Sequence, residues 1–244
     1  MTDKQVKLGV NLDHIATLRQ ARFTPYPDLM EAIRVSETSG ADGITLHLRE
    51  DRRHIQDDDI FSAREIITTH LNLEMAATSE MQNIALKVKP EYCCIVPERR
   101  EELTTEGGLD VGAHRDRLAD LIVALKSENI NVSLFIEPNP LIIDMAADIG
   151  ASIIEIHTGH YADKHGMQQQ HEFERIKNAS EHAQQLGLTV NAGHGLHVGN
   201  VKPIADIAGI NELNIGHAII SDAVFVGLSA AIHNMRHAID GEQQ

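Results

Sequence analysis

With 244 residues, 42% of them apolar and none of them tryptophan, the chain fits one large α/β barrel or two small domains, cored by Ile, Leu, Val, Ala and Met. A formal net charge of −15 argues against nucleic-acid and anionic-membrane partners, which need basic patches, but leaves room for small phosphorylated molecules held by a few local Arg, His and backbone N–H groups. No run of about 18 apolar residues supports a membrane span, residues 1–7 lack a signal peptide's apolar segment, and the only cysteines, Cys93 and Cys94, are adjacent, so a reducing cytoplasm without a disulfide framework is expected.

In chain order, strands are expected near 6–12, 42–48, 71–75, 92–96, 131–136, 152–157, 188–192 and 212–216. Helices are expected near 27–39, 58–69, 79–88, 113–128, 140–148, 168–186, 200–207 and 219–238. The strands carry a period of two with a polar parity. Ile44, Leu46 and Leu48 oppose Thr45, His47 and Arg49; Leu71, Leu73 and Met75 oppose Asn72 and Glu74; Ile154 and Ile156 oppose Glu155 and His157. Successive strand side chains point to opposite faces. Helices between the strands imply a parallel sheet covered on its outside, so the polar parity must face an enclosed interior. Unpaired charges there cost several kcal/mol, so an interior opening into a site is the economical reading. Residues 40–47 and 150–157 share a leading Gly-Ala and a terminal His, as repeated helix-to-strand units would. No linker or shift of composition divides the chain. The expected architecture is one α/β domain over 1–244, a single (β/α)8 TIM barrel with extra helical decorations.

Active sites of such barrels form where strands end and βα loops begin. There the order of elements places Asn11, Asp13, His14, His47, Arg49, Glu74, Glu155, His157, His194, Gly216 and His217. Asn191 to Gly199 looks like a nucleotide-binding glycine loop, but its third glycine falls one place too late. Its position suits phosphate binding through the loops after strands seven and eight, where Gly195 and Gly216 admit close backbone approach; ordinary turn geometry is the alternative reading of the glycines. His47, His157, His194 and His217 read as metal ligands, general acids or core histidines. Their number, beside Glu74 and Glu155, favours a site. Neither an HExxH nor a CxxC spacing is present. Glu74 is either a base of raised pKa or a partner of Arg49 or a histidine. Arg22 and His54 are ambiguous from spacing, and Thr104 is by itself a loop hydroxyl. The long loop 97–112, with Gly107 and Gly108, is a candidate lid.

Taken together, residues 9–22 (GVNLDHIATLRQAR), 40–54 (GADGITLHLREDRRH), 72–75 (NLEM), 104–110 (TTEGGLD), 154–159 (IEIHTG), 191–196 (NAGHGL) and 212–218 (ELNIGHA) closely resemble the pyridoxine 5′-phosphate synthase family. No departure falls at a position that family uses. The resemblance implies condensation of 1-deoxy-D-xylulose 5-phosphate with 3-amino-2-oxopropyl phosphate, without cofactor or metal, by a homo-octamer. It assigns Asp13, His14, Arg49, His54 and Thr104 to the deoxyxylulose phosphate, and Asn11, Arg22, Gly195, Gly216 and His217 to the amino ketone phosphate. His47 and Glu74 become general bases, His194 the general acid, and Glu155 a stabiliser of developing charge. The rival readings are a metal-dependent barrel hydrolase, with the histidines and Glu74 as ligands, and a non-catalytic phosphate-binding barrel.

Overall fold

The computed structural model describes residues 5–104 and 107–241. Eight strands, β1 (Lys7–Asn11), β2 (Gly43–His47), β3 (Leu71–Met75), β4 (Tyr92–Ile95), β5 (Asn131–Ile136), β6 (Ile153–His157), β7 (Thr189–Gly193) and β8 (Ile210–Ile215), pair in parallel and in chain order. β8 closes on β1, completing the (β/α)8 TIM barrel. The two parities part as the alternation requires. Leu8, Val10, Ile44, Leu46, Leu71, Leu73 and Met75 are at most 1% exposed and join the core beneath the helices. Full burial of each such side chain contributes roughly 1.5–3 kcal/mol. Cys93 joins the same core, whereas Cys94 lies inside the barrel with its Sγ 3.9 Å from Glu155 Oε2.

The inner parity is a hydrogen-bonded polar network where many barrels stack aliphatic layers. Asn72 Nδ2 donates to Thr45 Oγ1 at 3.3 Å, Thr45 Oγ1 donates to Asn214 Oδ1 at 3.1 Å, and Asn214 Nδ2 donates to Glu155 Oε2 at 2.7 Å. Buried polar groups are tolerable when each has a partner, and here each supplies the next.

Outside the barrel run α1 (Asp13–Gln20), α2 (Leu29–Thr38), α3 (Asp57–Ile66), α4 (Ser79–Val88), α5 (Arg115–Ser127), α6 (Pro140–Asp148), α7 (Gly159–Asp163), α8 (Gly166–Gln185), α9 (Val201–Ala205), α10 (His217–Val226) and α11 (Leu228–Asp240). Several starts are written in the sequence. The Asp28 carboxylate accepts from Met30 N at 2.8 Å, Thr78 Oγ1 from Met81 N at 3.2 Å, and Asn139 Oδ1 from Leu141 N at 3.0 Å, with Pro140 at the first helical position. At the end of the barrel away from the βα loops, Arg236 of α11 donates to Val6 O at 2.9 Å and pairs with Asp42, latching the last helix onto β1 and β2.

Three expectations are corrected. The stretch 219–238 is not one helix: Gly227, at φ +85°, ends α10 and begins α11. The helix expected to 69 stops at Ile66, because Ile67 turns extended at ψ 127°. The short helices α1 and α7, which follow β1 and β6 directly, were absent from the expected elements; they are the extra decorations, and both border the site. Among the described residues no helix is long and apolar enough to cross a membrane.

Candidate active site

A cavity of about 970 Å³ opens at the βα-loop end of the barrel. It is lined by Asn11, Asp13, His14, His47, Arg49, His54, Glu74, Glu155, His194, Gly195, Gly216 and His217, so the structure gathers these candidates from six strands into one space. Arg22 and Thr104 do not line it. Arg22 is exposed in the turn after α1. Thr104 closes a turn of its own: its Oγ1 accepts from Gly107 N at 3.2 Å and its N–H donates to Gly108 O at 2.7 Å, which sets Gly107 at the cavity wall.

One wall is organised around His47. The Asp13 carboxylate accepts the His47 N–H at 2.8 Å and Asn11 Nδ2 at 2.9 Å, fixing the end of β2 against the start of α1. His47 Nε2 lies 2.9 Å from Glu98 Oε1, and Nδ1 lies 3.7 Å from Glu74 Oε2. Burial pushes the Glu98 carboxyl up, yet hydrogen bonds from His47 and from Glu50 N–H, with the nearby charges of His47 and Arg49, hold it below its ordinary value. Asp13 shifts the other way, because burial outweighs His47, Asn11 and Arg49. His54 is pushed down to about 4 by burial and by His47, Arg49, His14 and Arg53. The Arg49 Nε is buried with no protein partner, so this guanidinium has donor capacity for an anion in the cavity.

At the cavity floor stand two carboxyl groups of raised pKa. Glu74 is pushed well above its ordinary value by burial, then by Glu155 and Asp13, against the pull of Arg49. Burial carries Glu155 to about 7, offset by the Asn214 hydrogen bond, raised further by Glu212 and lowered by Cys94. Burial of this kind favours the protonated carboxyl, the direction in which enzymes tune carboxyl groups for proton transfer.

The opposite wall carries His194, at φ +81°, and Gly195, at φ +78°. Glycine takes this left-handed turn without strain; His194 takes it because the Thr158 hydroxyl lies 2.6 Å from its carbonyl and 2.7 Å from that of Gly193. The surrounding protein draws the His194 ring partly out of water and, with His157, lowers its pKa against Asp163 and Glu137. After β8, a Cβ on Gly216 would lie 2.9 Å from Asn11, so glycine suits the tight start of α10, whose first residues line the cavity. His14 and His217 face each other across the mouth at 4.9 Å, and burial followed by His217 lowers the His14 pKa. Among the described residues, two groups bring three possible metal-ligating atoms within 4.8 Å, Asp13–His47–Glu74 and Glu137–His157–His160.

The model of the family described as pyridoxal phosphate biosynthesis protein PdxJ matches residues 8–241. This chain belongs to that family. It is 58% identical over 240 residues to the pyridoxine 5′-phosphate synthase of Thioalkalivibrio sulfidiphilus, covering 98% of each chain. It is 56% identical to that of Neisseria meningitidis serogroup A, covering 95% of this chain and 96% of the relative. It is 54% identical to that of Coxiella burnetii, covering 98% and 100%. Among solved structures, a 4-hydroxy-2-oxoglutarate aldolase/2-deydro-3-deoxyphosphogluconate aldolase superposes with TM-score 0.63 at 11% identity, over 95% of this chain and 93% of that one; this likeness concerns the barrel alone.

Three contributors to the PdxJ-family cavity carried no sequence signal strong enough to be singled out. Glu98 sits in the charged run 97–102, where nothing distinguishes it from its solvated neighbours. Asn214 lies on the inner parity of β8 and joins Glu155 to Thr45. Glu137 continues the inward parity Ser133, Phe135 of β5, a signal that extending the strand pattern by one step would have found.

Proposed function

We propose that the chain condenses 1-deoxy-D-xylulose 5-phosphate with 3-amino-2-oxopropyl phosphate to form pyridoxine 5′-phosphate, phosphate and water. The observation that carries this reading is family membership over 8–241 joined to a cavity where three histidines, His47, His54 and His194, surround two carboxyl groups of raised pKa. Joining an amine to a ketone, eliminating water and phosphate and closing the ring needs repeated proton transfers. Glu74, whose carboxyl burial pushes well above its ordinary value, and His47 beside it serve as bases. His194 on the far wall serves as acid, and Glu155 answers charge developing between them.

Two phosphate-bearing substrates need two anion sites despite the chain's acidity. Arg49, with its unpartnered Nε, supports one for the deoxyxylulose phosphate beside Asp13, His14 and His54. Gly195, Gly216 and the start of α10 at His217 support the other, for the amino ketone phosphate beside Asn11. Arg22 and Thr104 complete these sites only if substrate draws their segments inward; residues 105 and 106, beside Thr104, lie outside the described residues. The 97–112 loop then excludes water from imine intermediates. A homo-octamer in the cytoplasm is the remaining part of this reading. Exposed Phe23, Tyr26, Met167 and Phe225 are apolar surface that assembly would cover, and a sedimentation mass eight times that of the chain is expected.

The hydrolase reading is not favoured, since the relatives that share 54–58% of this sequence over nearly its whole length are named as synthases. Incubating purified protein with both substrates tests the proposal. A fluorescent pyridine product that needs both is expected, and no product at saturating substrate contradicts it.

A further inference from the structure

Glu137 follows the last residue of β5 and is 2% exposed, with one carboxylate oxygen 2.7 Å from His157 Nδ1 and the other, Oε2, without a partner. A buried carboxylate at one imidazole nitrogen keeps the proton there and leaves the other nitrogen as the exchangeable one. The His157 ring packs at 4.9 Å and 72° against the ring of His194. Phe135 backs both, at 5.1 Å and 6.4 Å. The space around them is closed. A Cβ on Gly159 would come within 2.5 Å of His157 Nε2 and 3.0 Å of His194 Cδ2. Thr158, between His157 and Gly159, binds the His194 carbonyl, so residues 157–159 hold both rings.

We propose that Glu137 and His157 are positioning residues for His194: Glu137 fixes the tautomer and plane of the His157 ring, and that ring fixes the plane of His194 and the charge it faces. The proposal rests on the reading of His194 as the acid of ring formation. The charged or titratable groups facing His194 are His157 of β6, Glu137 after β5, and His160 and Asp163 of α7. His157 disfavours a proton on His194, while Asp163 and Glu137 favour it. With Glu137 neutral, His194 therefore holds its proton less firmly, and the basic limb of the kcat profile must move to lower pH.

The test compares Glu137→Gln, His194→Asn and the unaltered protein for kcat, for KM of each substrate and for the pH profile. The expected result for Glu137→Gln is a kcat lower by about 10–100-fold, by analogy with loss of the hydrogen-bond partner behind a metal-ligating histidine, with both KM values held and the basic limb at lower pH. A kcat equal to wild type, or a loss with an unmoved limb, overturns the positioning role. If His194→Asn turns over normally, the acid assignment itself fails. If it is inactive while Glu137→Gln is unimpaired, only the present inference fails. Should Glu137→Gln not fold, ¹⁵N NMR of the unaltered protein decides: His157 protonated at Nδ1 through neutral pH is expected, and the Nε2–H tautomer or a divalent ion bound at Glu137, His157 and His160 contradicts it.

Discussion

The two walls of the cavity use the same pairing in different settings. At the β1–β3 wall His47 meets Glu98 at 2.9 Å; at the β5–β7 wall His157 meets Glu137 at 2.7 Å. Glu98 belongs to a loop, accepts Glu50 N–H as well, and depends on Glu102, whose carboxylate binds the N–H groups of Glu98 and Arg99 at 3.0 and 3.2 Å. Glu137 belongs to the barrel and keeps one oxygen unsatisfied. The first wall is complete only while the 98–104 segment lies on the mouth, whereas the second is built in. On the proposed reading, proton transfer at Glu74 and His47 is therefore tied to the loop, and the acid at His194 to the scaffold.

The largest effect expected concerns the first wall. Glu74→Gln keeps shape and hydrogen bonding but removes the proposed base, so turnover should fall at least 10²–10⁴-fold, the range for general-base assistance, with both substrates still bound by calorimetry. Near-normal turnover would make Glu74 a structural partner of His47 and leave that wall without its base.

Glu155, between the walls, yields a stability prediction of defined sign. It titrates near 7 in the folded barrel against 4.5 as the ordinary value. The folded state thus binds the extra proton between these values, and stability falls as pH rises from about 4.5 to about 7. Glu155→Gln should stabilise the protein at pH 8 by on the order of 3 kcal/mol, at 1.36 kcal/mol for each pH unit, and the gain should vanish near pH 4. Chemical denaturation at the two pH values measures it. An equal effect at both would mean that Glu155 does not carry the raised folded-state pKa on which the prediction rests.

The fold was legible in the sequence because a period of two with a polar parity is incompatible with a sheet covered on its outside unless the interior is polar. Thr45, Asn72 and Glu155 show that interior directly. The strands expected at 71–75 and 131–136 and the helices expected at 79–88 and 140–148 are β3, β5, α4 and α6 with those bounds. What stayed hidden has local causes. The eight-residue α1 begins at Asp13, whose carboxylate is spent on His47 rather than on a visible cap. Gly227 breaks a helix inside an unbroken apolar run. In the site, histidines on strand parity could be seen, but their pairing with carboxylates could not: Glu98 contacts His47 across 51 residues, and Glu137, one step beyond the β5 parity, contacts His157 across 20. Resemblance supplied Arg22 and Thr104, and the structure places both just outside the cavity.

Those two residues sharpen the contrast between loop and scaffold. Arg49→Ala should weaken the deoxyxylulose phosphate by tenfold or more, since a charged hydrogen bond contributes about 1.5–3 kcal/mol. Arg22→Ala should weaken the amino ketone phosphate by a similar factor, but only if the turn after α1 moves inward. Titration of each variant with each substrate checks this, and identical effects on both ligands would contradict separate phosphate sites. The smallest change is expected for Glu98→Gln, about tenfold in kcat/KM, because His47 keeps Asp13 and Glu74 as neighbours. A loss matching that of Glu74→Gln would show that the loop carboxylate is itself essential.

The proposed function requires one cavity to couple phosphate elimination to ring closure. Phosphate release and pyridine fluorescence, followed together in the unaltered protein and in Glu74→Gln, measure that coupling. Equal amounts of phosphate and pyridine are expected from the unaltered protein, and loss of both in the variant. Phosphate released without pyridine, from either substrate alone, would contradict that coupling and return the barrel to the hydrolases.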